Sequence, residues 1–176
     1  MFTIFMAPLL VLLTGYPADA VELGSLKSTP PAEWKEGRVS SQMQLKTFTL
    51  PKAEGDSDPT TLTIFQFSKN VGGLDANLVR WKGMIDPGAG KKIDDVAKIE
   101  NMEISKIKVT SFDATGTYLF KPNMSDPSNV VRKENYRLIN IYFPTEETIY
   151  TMRLVGPAKS VAAAEKGFKE WLKNFK

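Results

Sequence analysis

Seven stretches of this chain carry β-branched and aromatic residues in runs that suit a sheet, and only two carry a helical stripe. The clearest run is Thr61-Leu62-Thr63-Ile64-Phe65-Gln66-Phe67, which has strand-forming side chains almost throughout. Residues 42–50 precede it across a polar turn, 52–59, and are predicted to be its antiparallel hairpin partner. Farther on, residues 97–103, 106–112, 116–120, 136–143 and 148–155 read as strands, the last two joined by a turn at 144–147. Residues 121–133, with two prolines, read as a long loop. At about 100° per residue, Leu74, Leu78, Trp81 and Ile85 fall in one narrow arc, with Asp75, Arg80 and Lys82 off it. Gly156-Pro157 stops the last strand, with Pro157 suited to a first helical position. Val161, Ala164, Phe168, Trp171, Leu172 and Phe175 then share one side of a terminal helix, opposite Lys166, Lys169, Glu170 and Lys173. The class that accommodates both patterns is α+β: a central twisted antiparallel sheet packed by an internal helix and a C-terminal helix.

Neither cysteine nor histidine occurs among the 176 residues. That removes disulfides, thiol and imidazole catalysis and nearly every zinc, copper or haem site, so no metal or cofactor is expected. With 42% hydrophobic and 24% charged residues the composition is that of an ordinary soluble domain, and its stability must come from the apolar core. The net charge of +3 is too mild for a nucleic-acid partner.

The first 18 residues contain no charged side chain, and residues 8–13 form an apolar centre. Ala18-Asp19-Ala20 supplies the small-x-small pattern of a signal-peptidase site. Cleavage is expected after Ala20, giving an exported protein, periplasmic or extracellular, with no integral membrane span once cleaved. The alternative is an N-terminal membrane anchor, which Pro8, Gly15 and Pro17 disfavour. The expected organisation is a signal peptide at 1–20, an N-terminal extension at 21–40 and one α+β domain at 41–176. Within the extension, residues 28–34 read as a turn, or one helical turn started by Thr29, with Trp34 as an apolar plug.

Several motifs invite a chemical reading and fail it. Gly88-Ala89-Gly90-Lys91-Lys92 has Ile85 where a phosphate loop needs its first glycine and Lys92 where it needs a hydroxyl, so it reads as a solvated turn. Its Lys91 and Lys92 remain candidate interaction residues. Ser105-Lys106-Ile107-Lys108 matches Ser-x-x-Lys, but in a strand the first and last positions face opposite ways. Asp56-Ser57-Asp58 opens like a calcium loop, yet Thr60 and Thr61 stand where further ligands and glycine belong, so a polar hairpin turn is the better reading. Asn123-Met124-Ser125 is a formal glycosylation acceptor. The mixed charges of the last helix describe a solvated face, and the three tryptophans read as core anchors.

Taken in order, Thr29-Pro30 with Trp34, Phe48-Thr49-Leu50-Pro51, Gly72-Gly73-Leu74-Asp75-Ala76-Asn77-Leu78-Val79-Arg80-Trp81, Gly116-Thr117-Tyr118, Tyr136-Arg137-Leu138 and Gly156-Pro157 form a set spanning most of the chain. That set resembles a family of uncharacterised exported bacterial proteins, several of them lipoproteins. The implied topology is similar to the PsbP fold, shared by an extrinsic photosystem subunit and a Ran-binding nuclear import protein, in which helices sandwich an antiparallel sheet. The lipoprotein cysteine is absent here, so lipid anchoring is not implied. The resemblance places Gly72-Gly73 at a tight strand-to-helix turn. It places Asn77 and Arg80 beside Trp81 as low-ranking interaction candidates, with Asn77 expected to bond loop backbone and Arg80 to pack its stem over the sheet edge. The function expected is therefore non-catalytic: an exported module that binds a protein or cell-envelope component, or assists an assembly there. The alternative is a small-ligand carrier or hydrolase-type enzyme using a carboxylate, Lys and Tyr pocket.

Overall fold

A computed structural model describes residues 19–70, 72–123, 126 and 128–176. Residues 1–18 of the expected signal peptide, and the Met124-Ser125 part of the glycosylation acceptor, lie outside the described residues. The chain opens with a two-stranded hairpin, β1 (Val21–Leu23) and β2 (Leu26–Ser28), followed by the short β3 (Lys35–Glu36). Next come β4 (Gln44–Leu50), β5 (Thr60–Ser68), α1 (Leu74–Lys82), β6 (Ile85–Asp86) and the single turn α2 (Ile93–Val96). Four strands and a helix complete it: β7 (Ala97–Ile104), β8 (Ile107–Phe120), β9 (Val131–Pro144), β10 (Thr148–Pro157) and α3 (Ala158–Lys173).

Eight strands form one antiparallel sheet in the order β3-β4-β5-β10-β9-β8, with β7 and β6 sharing the outer edge of β8. The expected hairpins are present: β4 with β5, where Phe48 pairs Leu62, and β9 with β10, where Met152 pairs Ile141. The α+β class and the C-terminal helix packed on a large antiparallel sheet are as the patterning predicts.

Period-two alternation sends the two faces of the sheet to different cores. Leu62, Ile64, Ile139, Ile141, Phe143, Met152 and Leu154 point toward α3, where they meet Val161, Phe168, Trp171, Leu172 and Phe175. Their neighbours Phe112, Ala114, Tyr136 and Leu138 point the other way and meet Trp81 and Ile85. The segment expected as an N-terminal extension contributes to the first core. Val21 and Leu23 are fully buried, the Ser28 hydroxyl donates to the Trp171 carbonyl at 2.8 Å, and Lys27 and Lys176 exchange backbone hydrogen bonds. Trp34 plugs that core edge-on against Trp171, ring centroids 5.3 Å apart.

Four boundaries differ from the sequence expectation. The strands expected at 106–112 and 116–120 are one 14-residue strand, β8. Residues 113–115 stay in the ladder because Ala114 is buried under α1 while Asp113, on the other face, bonds Arg137. At Gly116 a Cβ would lie 2.5 Å from the Asp86 carbonyl oxygen, so this glycine allows the close approach of β6. The loop expected at 121–133 is shorter, since β9 begins at Val131, opposite Phe120. The internal helix ends at Lys82, and Ile85 reaches the same core from β6, pairing Tyr118. Pro157 is the N-cap of α3 and the last residue of β10, so strand passes into helix without a loop.

Candidate functional site

The start of α1 is set by two glycines and one asparagine. Gly72 takes φ +65°, a conformation that costs glycine little, and Gly73 is an N-cap with no side-chain hydrogen bond. Asn77, one turn into the helix and buried, closes the turn by donating to the carbonyls of Gly72 (3.1 Å) and Gly73 (2.9 Å). Its Oδ1 accepts from Arg80 Nη2 at 2.5 Å. Asn77 therefore bonds loop backbone, and it also aims the Arg80 guanidinium. A small pocket of about 60 Å³, lined by Phe67, Gly72, Ala76, Asn77 and Arg80, lies at this end of the helix.

Beside Arg80 the sheet supplies a second guanidinium. Arg153, in the middle of β10, pairs in register with Asn140 on β9 and Thr63 on β5. Its neighbours Met152 and Leu154 belong to the α3-side core, so alternation puts Arg153 and Asn140 on the α1 side. The Arg153 guanidinium lies 5.3 Å from the Phe65 ring centroid, a cation–π contact, and Phe65 in turn stacks near-parallel on Phe67 at 6.3 Å. Burial, and then the charge of Arg153, lower the Arg80 guanidinium from its ordinary pKa. Neither arginine has a carboxylate partner among the described residues. Arg153 Nε and Asn140 Nδ2 are buried donors with no hydrogen-bond partner among the described residues, on a face that places them side by side.

The remaining candidates are distributed elsewhere. Lys91 and Lys92 are exposed in the turn before α2, where the Lys92 backbone donates to Asp95 at 2.7 Å. No hydrogen bond or ion pair joins them to Asn77 or Arg80 among the described residues. Ser105 and Lys106, both at positive φ, are the two-residue turn between β7 and β8, which is the tight hairpin geometry. Asp56 accepts from the Ser160 backbone at 3.1 Å and from its hydroxyl, capping the first turn of α3. Asp58 turns away to Lys133 and Tyr136. The two acidic residues of the calcium-like motif thus serve different internal partners. On the outer face of α3 a shallow groove of about 430 Å³ runs along Glu165, Lys166, Lys169, Glu170 and Lys173. There Glu165 bridges Lys169 (2.6 Å) and Arg137 (2.7 Å), and Arg137 forks onto Asp113. This is a charge-compensated clamp of helix on sheet.

One cluster fits the expected carboxylate, Lys and Tyr combination. Lys133 Nζ donates to Asp58 Oδ2 at 2.8 Å, the Tyr136 hydroxyl donates to the same oxygen, and Tyr136 stacks on Tyr118 at 6.1 Å. Hydrogen bonds from Lys133 and Tyr136 hold Asp58 below the usual carboxylate range. Burial, then the bond to Asp58, pushes Tyr136 up, and the bond to Asp58 raises Lys133. These shifts favour the carboxylate, ammonium and phenol forms, each the one its partners stabilise.

Arg153 and Asn140 were not among the candidates read from the sequence. A signal was present: each is a polar residue flanked on both sides by core-facing aliphatics, Met152-Arg153-Leu154 and Ile139-Asn140-Ile141. Only the register shows that the two are opposite one another and beneath α1.

No family model matches this chain, and no curated protein matches it. Among solved structures, cyanobacterial PsbP (CyanoP) from Synechocystis superposes with a TM-score of 0.50 at 12% identity, over 86% of this chain and 85% of that one. A protein of unknown function from Pseudomonas aeruginosa matches with a TM-score of 0.48 at 11% identity, over 88% and 93%. At such identity the likeness to CyanoP speaks for the arrangement of strands and helices alone: the chain has a PsbP-like α+β fold.

Proposed function

We propose that this chain is a non-catalytic accessory module that is exported and binds a protein or cell-envelope component through the α1 side of its sheet. The observation that carries the reading is the pair of guanidiniums, Arg80 and Arg153, standing without a carboxylate partner among the described residues on a half-covered face beside the stacked Phe65 and Phe67. Unmatched charge flanked by aromatic surface is the composition of a recognition patch rather than of a self-contained fold. The apolar leader and the Ala18-Asp19-Ala20 pattern support export, and the Gly72-Gly73…Arg80-Trp81 stretch supports kinship with the exported bacterial family it resembles. Lys91 and Lys92 lie outside the patch and serve, in this reading, as secondary contacts. Val79, on the outer side of α1 and 74% exposed, is a suitable place for a photo-crosslinking residue. Illumination in envelope fractions should give one discrete adduct from position 79 and none from Lys166 on α3. Equal labelling from both positions would remove the reading.

The second reading, a small-ligand carrier or hydrolase, is favoured by the Asp58, Lys133 and Tyr136 cluster alone. It ranks lower because the three groups are hydrogen-bonded to one another. Turnover of an ester by the purified chain, abolished in Tyr136→Phe, would promote it.

A further inference from the structure

On the α1 side of the sheet two buried hydrogen-bond donors stand without a partner among the described residues. Arg153 Nε and the 1% exposed Asn140 Nδ2 are buried without partners. The Arg153 guanidinium lies over Phe65, Phe65 stacks on Phe67, and Phe67 lines a small pocket with Arg80, whose guanidinium Asn77 holds. The nearby first turn of α1 has no side-chain cap on its free backbone N–H groups. Leaving buried donors unpaired and like charges adjacent is costly, and one kind of group relieves both conditions. An oxyanion brings only acceptors and negative charge, and guanidiniums match its geometry by forked hydrogen bonds. We propose that Arg80, Arg153 and Asn140 form a binding site for a single oxyanion group, a phosphate or a carboxylate, presented by the ligand of this face. This deepens the partner-binding reading above and rests on it for the choice of face, while its chemistry is tested separately.

The experiment is a titration of the purified full chain with inorganic phosphate and, separately, with acetate. Ionic strength is held constant with sodium chloride, and the arginine Nε–H and asparagine side-chain amide resonances are followed. The expected result is a saturable shift of the Arg153 and Asn140 signals at about 1–10 mM anion. Arg80→Gln, a change at an exposed side chain, should weaken binding about tenfold. Arg153→Gln should abolish it, and Arg80→Gln carries the test if that variant does not fold. Saturation with phosphate alone or acetate alone supports the site and names which group it takes. Shifts that stay linear with both anions, or that saturate unchanged in Arg80→Gln, overturn it. A persistent crosslink from position 79 with no anion response would sink the oxyanion site and leave the partner reading standing. Anion binding with no crosslink would do the reverse.

Discussion

The two faces of this sheet are completed in different ways. On one side a 16-residue helix, the β1–β2 hairpin and Trp34 close over the strands, and Trp171 touches Trp34, Phe168 and Phe175. On the other a nine-residue helix reaches the sheet chiefly through Trp81, which meets Phe112 at 6.3 Å. Charge is treated just as differently. Toward α3 the half-buried cation, Arg137, is held by Asp113 and Glu165, whereas toward α1 Arg80 and Arg153 have no counter-charge among the described residues. A face that is packed and neutralised serves stability. A face left half-covered, with two guanidiniums lacking a counter-charge among the described residues, is the one the proposed ligand would use.

That contrast can be broken by measurement. Trp171→Ala should lower the unfolding free energy by about 5 kcal/mol and Trp81→Ala by about 3 kcal/mol, the upper and lower ends of the range for such truncations. Urea titration gives both values, and a larger loss at Trp81 would mean the α1 side is the better packed. Gly116→Ala should cost about 2 kcal/mol by overpacking, because its methyl would press on the Asp86 backbone and Ile85. An unchanged melting temperature would show that β6 can move away.

Arg137→Met should cost about 1–2 kcal/mol, since Arg137 is only 17% exposed and its loss leaves two carboxylates facing each other. The clamp also predicts a pH dependence. Hydrogen bonds from Lys169, and then from Arg137, hold Glu165 below its ordinary pKa of 4.5. Its stabilisation is therefore complete above that value and fades as the pH falls through the depressed one. Thermal melts of Glu165→Gln should show a weaker loss of stability between neutral and acid pH than the parent. The smallest effect belongs to the other face: Arg80→Gln should change stability by less than about 0.5 kcal/mol, and a substantial loss would mean Arg80 is a structural residue rather than a binding one.

Much of the architecture was legible before any coordinates. The runs at 61–67, 136–143 and 148–155 are strands, and the stripe from Val161 to Leu172 is buried on α3, because alternation and helical periodicity are local consequences of backbone geometry. Residues 113–115 misled, since Asp113 and Ala114 interrupt the β-branched run locally, and only the bond of Asp113 to Arg137 and the burial of Ala114 show why they stay in the ladder. Ile85 misled for a related reason: its hydrophobicity demanded burial but did not say whether helix or strand would deliver it.

Of the site, Asn77 and Arg80 could be read from their place beside Trp81, whereas Arg153 and Asn140 could not be joined to them. They sit 60 or more residues farther along the chain, and their meeting depends on strand order and register. What residue order determined by itself was which side chains must leave water and with what period, since that follows from each residue and its near neighbours. Which polar groups were left facing one another, with no partner, was decided only when β5, β10 and β9 aligned under α1. Pairings between distant strands are set by the packing of the whole molecule, and no local pattern contains them.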